Sequence, residues 1–251
     1  QKTIDITGAS RGIGEAPARH LAKLGGNIVV SARSQAAIQK IVDQIVESGG
    51  SAAPFVCDVS DFEAVSRLIE FAGQEFGSLD VLVNNAGLIE PIARLADSDP
   101  AEWSKIVDVN LKGVYYGLRC AIPLMQEQGS GSIINISSGA ATSNLEGWSH
   151  YCATKAAVLR LTGVAHKEYA ADGIRVIGLR PGTVATDMQL AIKSSGINPV
   201  SQLESSAHIP AQWVAKAIEF LCTPAADEFA GGDFSLKTDE GRRLLGLPLI
   251  S

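Results

Sequence analysis

Cysteine is scarce in this 251-residue chain and scattered: Cys57, Cys120, Cys152 and Cys222 form no C-x-x-C pair. Neither a zinc site nor a disulfide framework is therefore indicated, and no metal is expected. No apolar run reaches the ~18 residues of a membrane-spanning helix. Charged residues make up only 19%, the net charge is −6, and lysine and arginine form no cluster, so there is no basic field to hold a phosphate backbone. Membrane and nucleic acid are excluded as expected partners. An initiator methionine is also lacking, which points to a trimmed or processed start, yet Gln1-Lys2-Thr3-Ile4 leads straight into a strand pattern rather than a signal peptide. A reducing cytoplasm fits this thiol usage. Internal repeats, low-complexity tracts and long linkers are missing too.

What is present is apolar residue in bulk, 46%, with 25 glycines. Runs of four to eight apolar residues alternate with longer amphipathic stretches, the pattern of repeated βα units. Strands are expected near 3–7, 27–31, 52–57, 81–84, 132–137, 175–180 and 233–236. The fold class that follows is α/β: a single-domain Rossmann fold over 1–251, with a doubly wound, seven-stranded parallel sheet and helices on both faces. A helix over 211–221, with Pro210 in its first turn, carries Trp213, Ala217, Ile218 and Leu221 on a core-facing stripe. Two residues run against the pattern. Asp5 falls inside the first strand, where an unpaired carboxylate costs several kcal/mol, and Pro17 falls inside the first helix, at a cost of ~3 kcal/mol. The flanking residues ask for an apolar side chain at both positions, so local strain and a misread residue both remain open.

Thr7-Gly8-Ala9-Ser10-Arg11-Gly12-Ile13-Gly14 follows the first strand and opens the first helix. Glycines there let a pyrophosphate approach bare backbone N–H groups at a helix N-terminus. The spacing is G-x-x-x-G-x-G rather than the general G-x-G-x-x-G. At the end of the second strand, in Val30-Ser31-Ala32-Arg33-Ser34, no acid is available to accept from an adenosine 2′-hydroxyl; Arg33 with Arg11 could instead bracket a 2′-phosphate. NADP(H) is expected over NAD(H), with two solvated surface arginines as the alternative. Asp58 and Val59 follow the third strand, where a carboxylate could meet an adenine amino group or cap a helix. Asn84-Asn85-Ala86-Gly87 ends the fourth strand; Asn85, Ala86 and Gly87 read as cofactor wall and Asn84 as partly structural.

Tyr151 and Lys155 lie four residues apart and so share one helix face. An ammonium about 4–6 Å from a phenol favours the phenolate, which is expected to bring the tyrosine down from ~10 toward the working pH. The buried strand 132–137 runs into Ser137-Ser138 thirteen residues before Tyr151.

In order, the Gly8/Gly12/Gly14 turn, 84–87, Asn110, Ser138, Tyr151/Lys155 and Pro181-Gly182 resemble the classical short-chain dehydrogenases/reductases over nearly the whole chain. That resemblance implies hydride transfer between NADP(H) and a ketone, diketone or aldehyde. Tyr151 would give or take the proton, Ser138 (rather than Ser137) would hold the substrate oxygen, Lys155 would also bind the nicotinamide ribose, and Asn110 would hold a relay water. Pro181, Gly182, Val184 and Thr186 would face the nicotinamide. For the substrate, Ser138, Asn144, Trp148 and Tyr151 are the expected contacts, with a mobile loop near 188–208. His150 beside Tyr151 points elsewhere on a helix and is not expected to react; Glu90 is read as a solvated loop acid, with a place on the pocket wall as the alternative. Leu88-Ile89-Glu90-Pro91, Gly147-Trp148-Ser149-His150-Tyr151 and the tail after Gly231-Gly232 look like the microbial sepiapterin/benzil reductase branch, which implies dicarbonyls or aryl ketones. A homodimer or homotetramer through the helices of 99–127 and 150–171 is implied as well. A non-catalytic NADP(H)-binding sensor and an epimerase or dehydratase of the same family are the competing readings.

Overall fold

The structure is a computed structural model and describes residues 1–250. In chain order its elements are β1 (Thr3–Thr7), α1 (Gly12–Lys23), β2 (Asn27–Ala32), α2 (Gln35–Glu47), β3 (Ser51–Val56), α3 (Phe62–Phe76), β4 (Val81–Asn84), α4 (Pro100–Val107), a π-helical turn (Asp108–Lys112), α5 (Gly113–Gln128), β5 (Gly131–Ile136), α6 (Ser149–Tyr169), β6 (Ile174–Arg180), α7 (Asp187–Ser195), α8 (Ala211–Leu221), β7 (Asp233–Ser235) and α9 (Asp239–Leu244). The seven strands form one parallel sheet in the order β3-β2-β1-β4-β5-β6-β7. Every strand expected from the apolar runs is present, and the doubly wound topology reverses between β1 and β4. Ligands of such sheets bind outside the strand C-termini at that reversal.

The runs read as strands because the sheet is covered on both faces: every residue of β1 and β4 is buried. Side chains alternate between two cores. Ile6, Val30 and Ile134 pack toward α1, α2 and α8 on one face, while Val29, Leu82 and Ile133 pack toward α3, α5 and α6 on the other. Pro54 interrupts β3, which is tolerable because β3 is an edge strand. Helix ends follow local chemistry. Asp61 caps α3 by accepting from the Glu63 N–H, and Asp99 caps α4 ahead of Pro100. Pro210 lies at the N-cap of α8 rather than within its first turn, while Ala217, Ile218 and Leu221 are in the core as the spacing predicts.

Asp5 is fully buried in the second core, and its Oδ1 accepts from Ser31 Oγ at 3.0 Å while Oδ2 has no donor. Burial pushes this carboxyl up to about 7, against the opposing bond from Ser31. Pro17 is buried inside α1. The segment 188–208, expected as a loop, instead carries most of α7 and two short 3-10 turns.

Candidate active site

A cavity of about 1060 Å³ opens at the strand C-termini. Its floor is the turn after β1, where Gly8 and Gly12 adopt φ of +63° and +58°, a conformation that L side chains rarely take. A Cβ on Gly8 would run into the Ala86 backbone at 2.8 Å, and one on Gly14 would meet Asn85 Nδ2 and the Gly8 carbonyl, each at 2.6 Å. Thr7 Oγ1 accepts from the Asn85 and Ala86 N–H groups, while Asn85 Nδ2 donates back to the Thr7 and Gly8 carbonyls. Thus the asparagine predicted as cofactor wall uses its side chain to lock two loops together. Asn84 is structural: it donates to Asn135 Oδ1 at 2.8 Å, and Asn135 donates to Thr162.

The reacting groups expected from the sequence meet at one place. Lys155 Nζ is buried, lies 5.5 Å from the centroid of the Tyr151 ring and donates to the Ile136 carbonyl at 2.8 Å. Ser138 follows β5 and accepts from the Ala140 N–H at 3.1 Å; its hydroxyl near the phenol opposes the burial that otherwise dominates there. That burial pushes the Tyr151 hydroxyl up to about 12, against the depression expected from the Tyr/Lys pair. The cause is desolvation: Lys155 is buried as well, which lowers its ammonium to about 8 despite the charge of Asp233. Burial thus favours the protonated phenol at neutral pH. Asn110 lies in the π-helical turn, one residue type of irregularity that sequence spacing did not show. Its amide grips the Leu88 backbone in both directions, at 2.8 Å each, and lies near Lys155 across Gly87. His150 is committed elsewhere: Nε2 donates to the Pro91 carbonyl and Nδ1 accepts from the Tyr151 N–H, both at 2.7 Å.

Comparison with known proteins decides the family. The short chain dehydrogenase profile matches residues 2–195. The chain belongs to the short-chain dehydrogenase family. It is 37% identical over 234 residues to the 3-oxoacyl-[acyl-carrier-protein] reductase of Synechocystis, covering 92% of this chain and 93% of the relative. Identity to the cyclohexanol dehydrogenase of an Acinetobacter species is 32%, over 93% and 92% of the two chains. Among solved structures, an actinorhodin polyketide ketoreductase variant with NADPH superposes at a TM-score of 0.86, with 26% identity over 94% of this chain and 95% of that one.

Short-chain dehydrogenases bind a nicotinamide dinucleotide, and the side-chain-free cradle at Gly8 and Gly12 fits its pyrophosphate. Ser10, Arg11, Gly12 and Ile13 line the near wall, and Pro181, Gly182, Val184 and Thr186 the far one. Gly14 does not line the cavity but packs the helix onto the turn. Arg33 is exposed and lines the cavity beside Asp58 and Val59. Asp58 is not a helix cap. Its Oδ1 accepts from the Ser60 N–H and hydroxyl. Burial works against its charge, but Ser60, Arg33 and Lys105 together hold the carboxyl below its ordinary range. Arg11 donates to Asp187 at 3.4 Å, an exposed contact between the glycine turn and α7.

The substrate end corrects one expectation. Asn144 is exposed and absent from the cavity wall, because the loop turns its neighbours Ser143 and Leu145 inward. Trp148 does line the cavity, buried and edge-on to Tyr151 with centroids 5.6 Å apart. Glu90 is both exposed and on the wall. Ile192 and Val200 lie in the segment 188–208 expected to meet the substrate, without having been singled out, and Ile89 was missed; the three complete an apolar patch with Trp148, Leu145 and Met188. The apolar spacing of 188–192 would have been the signal, had the segment been read as a helix. Among the described residues no cluster of His, Cys, Asp and Glu could hold a metal, and no helix is long and apolar enough to cross a membrane.

Proposed function

We propose that the protein is an NADPH-dependent carbonyl reductase, reversible as an alcohol dehydrogenase, with Tyr151 as the proton donor and acceptor. The observation that carries this reading is the convergence of Ser138, Tyr151 and Lys155 at the apolar end of a cavity whose other end presents Arg33 and Arg11. The names of the relatives support it: a 3-oxoacyl reductase, a cyclohexanol dehydrogenase and a ketoreductase with NADPH all interconvert carbonyl and alcohol.

NADPH, when bound, supplies the hydride for the carbonyl carbon. The protein then supplies orientation and charge. The Ser138 hydroxyl donates to the carbonyl oxygen and stabilises the negative charge that develops there. Tyr151, kept protonated by its burial, gives that oxygen its proton. The Lys155 ammonium stabilises the tyrosinate left behind, and Asn110 positions the backbone beside Lys155 for a water that restores the proton. Gly8, Gly12 and the N-terminus of α1 would hold the pyrophosphate, Arg33 and Arg11 the 2′-phosphate, and Pro181, Gly182, Val184 and Thr186 would face the nicotinamide.

The substrate end contains Ile89, Leu145, Trp148, Met188, Ile192 and Val200, so ketones and diketones with an apolar or aromatic body are the substrates to test first. A panel of ketones, diketones and aldehydes followed by NADPH absorbance should show turnover, and Tyr151→Phe should abolish it while NADPH still binds. NADPH binding without turnover of any carbonyl would leave the sensor reading in its place.

A further inference from the structure

Immediately behind the reacting groups lies a buried ion-pair network that the reaction as described does not use. Asp233 at the start of β7 accepts through Oδ2 from Ser137 Oγ at 2.8 Å, from Arg180 Nη2 at 3.0 Å and from Arg180 Nε at 3.3 Å. Both charged side chains are largely shielded, 21% exposed for Arg180 and 10% for Asp233. Arg180 Nη1 goes on to donate to Thr142 Oγ1 at 3.3 Å. The space is built for this carboxylate: Gly178 faces Asp233 across the β6–β7 register, and a Cβ on Gly178 would collide with Asp233 Oδ1.

Each group that the carboxylate gathers is adjacent to the site. Ser137 precedes Ser138, and its neighbour Ile136 offers the carbonyl that Lys155 Nζ holds. Arg180 precedes Pro181-Gly182, the segment on the nicotinamide side of the cavity. Thr142 closes the turn that begins at Ser138. One side chain from the last strand thus ties the ends of β5 and β6 and the turn between β5 and α6.

We propose that Asp233, acting through Ser137 and Arg180, is the positioning residue that sets Ser138 and the Pro181-Gly182 segment in register with Tyr151 and Lys155. The inference rests on Ser138, Tyr151 and Lys155 being the reacting groups. Asp233 touches none of the reacting atoms. Its charge also reaches Lys155 and favours the ammonium, which links the network to the protonation of the site. The groups facing Lys155 are Tyr151 on its own helix, Asp233 from β7 with Arg180 behind it from β6, and the neutral amide of Asn110 from the π-helical turn.

Asp233→Asn, Arg180→Ala and the pair together test this, with Ser137→Ala as a milder variant that removes one hydrogen bond and no charge. Hydrogen exchange read by mass spectrometry should show faster exchange confined to 137–142 and 180–186, with the rest of the sheet protected. With a ketone that the unaltered protein reduces, kcat should fall roughly tenfold or more, NADPH affinity should change less than threefold, and the double variant should lose little more than either single one, as coupled residues do. Exchange rising over the whole sheet would mean a merely structural ion pair. Unchanged exchange at 137–142 or full kcat in Asp233→Asn and Ser137→Ala would overturn the proposal. Local exchange changes in a protein that reduces no carbonyl would instead count against the reductase reading and leave the positioning network standing.

Discussion

Asp5 is the residue whose chemistry conflicts most with its surroundings. Its carboxyl titrates near 7 in the folded chain against 3.8 as the ordinary value. Between those limits the folded state keeps a proton that the unfolded chain has released, so stability falls as pH rises from about 4 to about 7, by up to ~1.4 kcal/mol per pH unit, and is level above that. Asp5→Val should remove this slope and raise the midpoint of thermal unfolding at pH 8 by several degrees, while the two proteins converge near pH 4; scanning calorimetry at both pH values measures it, and intact mass shows whether Asp5 and Pro17 are the residues present. Arg33 is the second case where one side chain decides an outcome. Arg33→Asp should weaken NADPH binding by tenfold or more and leave NADH binding nearly unchanged, as fluorescence titration of the two cofactors would reveal; equal losses would remove Arg33 from the 2′-phosphate. At Lys155, burial brings the ammonium down to about 8, so kcat for reduction should decline as pH rises through that value.

At the level of elements, much is legible in the sequence because parallel strands covered on both faces read as unbroken apolar runs. β2 and β4 show this through Ile28-Val29-Val30 and Val81-Leu82-Val83, and the βα turn follows from where glycines must stand. The spacing of Tyr151 and Lys155 needed only one helix to become a shared face. Three things were not legible, each because it depends on partners remote in sequence or on irregular backbone. Asn144 falls in a loop, where no periodicity tells which of three successive residues turns inward. The π-helical turn at Asn110 leaves no pattern in composition. The Ser137–Asp233 bond joins residues 96 positions apart, and nothing near either one announces the other. Gly14 gives a test at this scale: Gly14→Val places carbon where Asn85 Nδ2 and the Gly8 carbonyl already sit, so the clamp between the first turn and the end of β4 should open and NADPH affinity should fall at least tenfold, with the far edge of the sheet unaffected in hydrogen exchange.

For the molecule as a whole, the resemblance implies subunit pairing through the helices of 99–127 and 150–171. Tyr115 on α5 is 48% exposed and Val164 on α6 45%, an outward placing of large apolar groups on the two helices concerned. Light scattering should therefore give a mass of at least two chains, and Tyr115→Glu with Val164→Lys should reduce it to one without loss of NADPH binding.

Trp148 stands edge-on to Tyr151 inside the cavity, and that placing makes the protein its own optical gauge. Indole emission overlaps the absorption of a reduced nicotinamide ring, so, with NADPH bound as proposed, excitation energy should pass from Trp148 to it and the light emitted should dim as the cleft fills. Trp103 and Trp213 do not line the cavity, though Trp103 bonds Ser149 beside Trp148 and will share in the transfer. Occupancy of the site can thus be followed in real time without label or turnover, and in Trp148→Phe the light that remains will respond less to the cofactor.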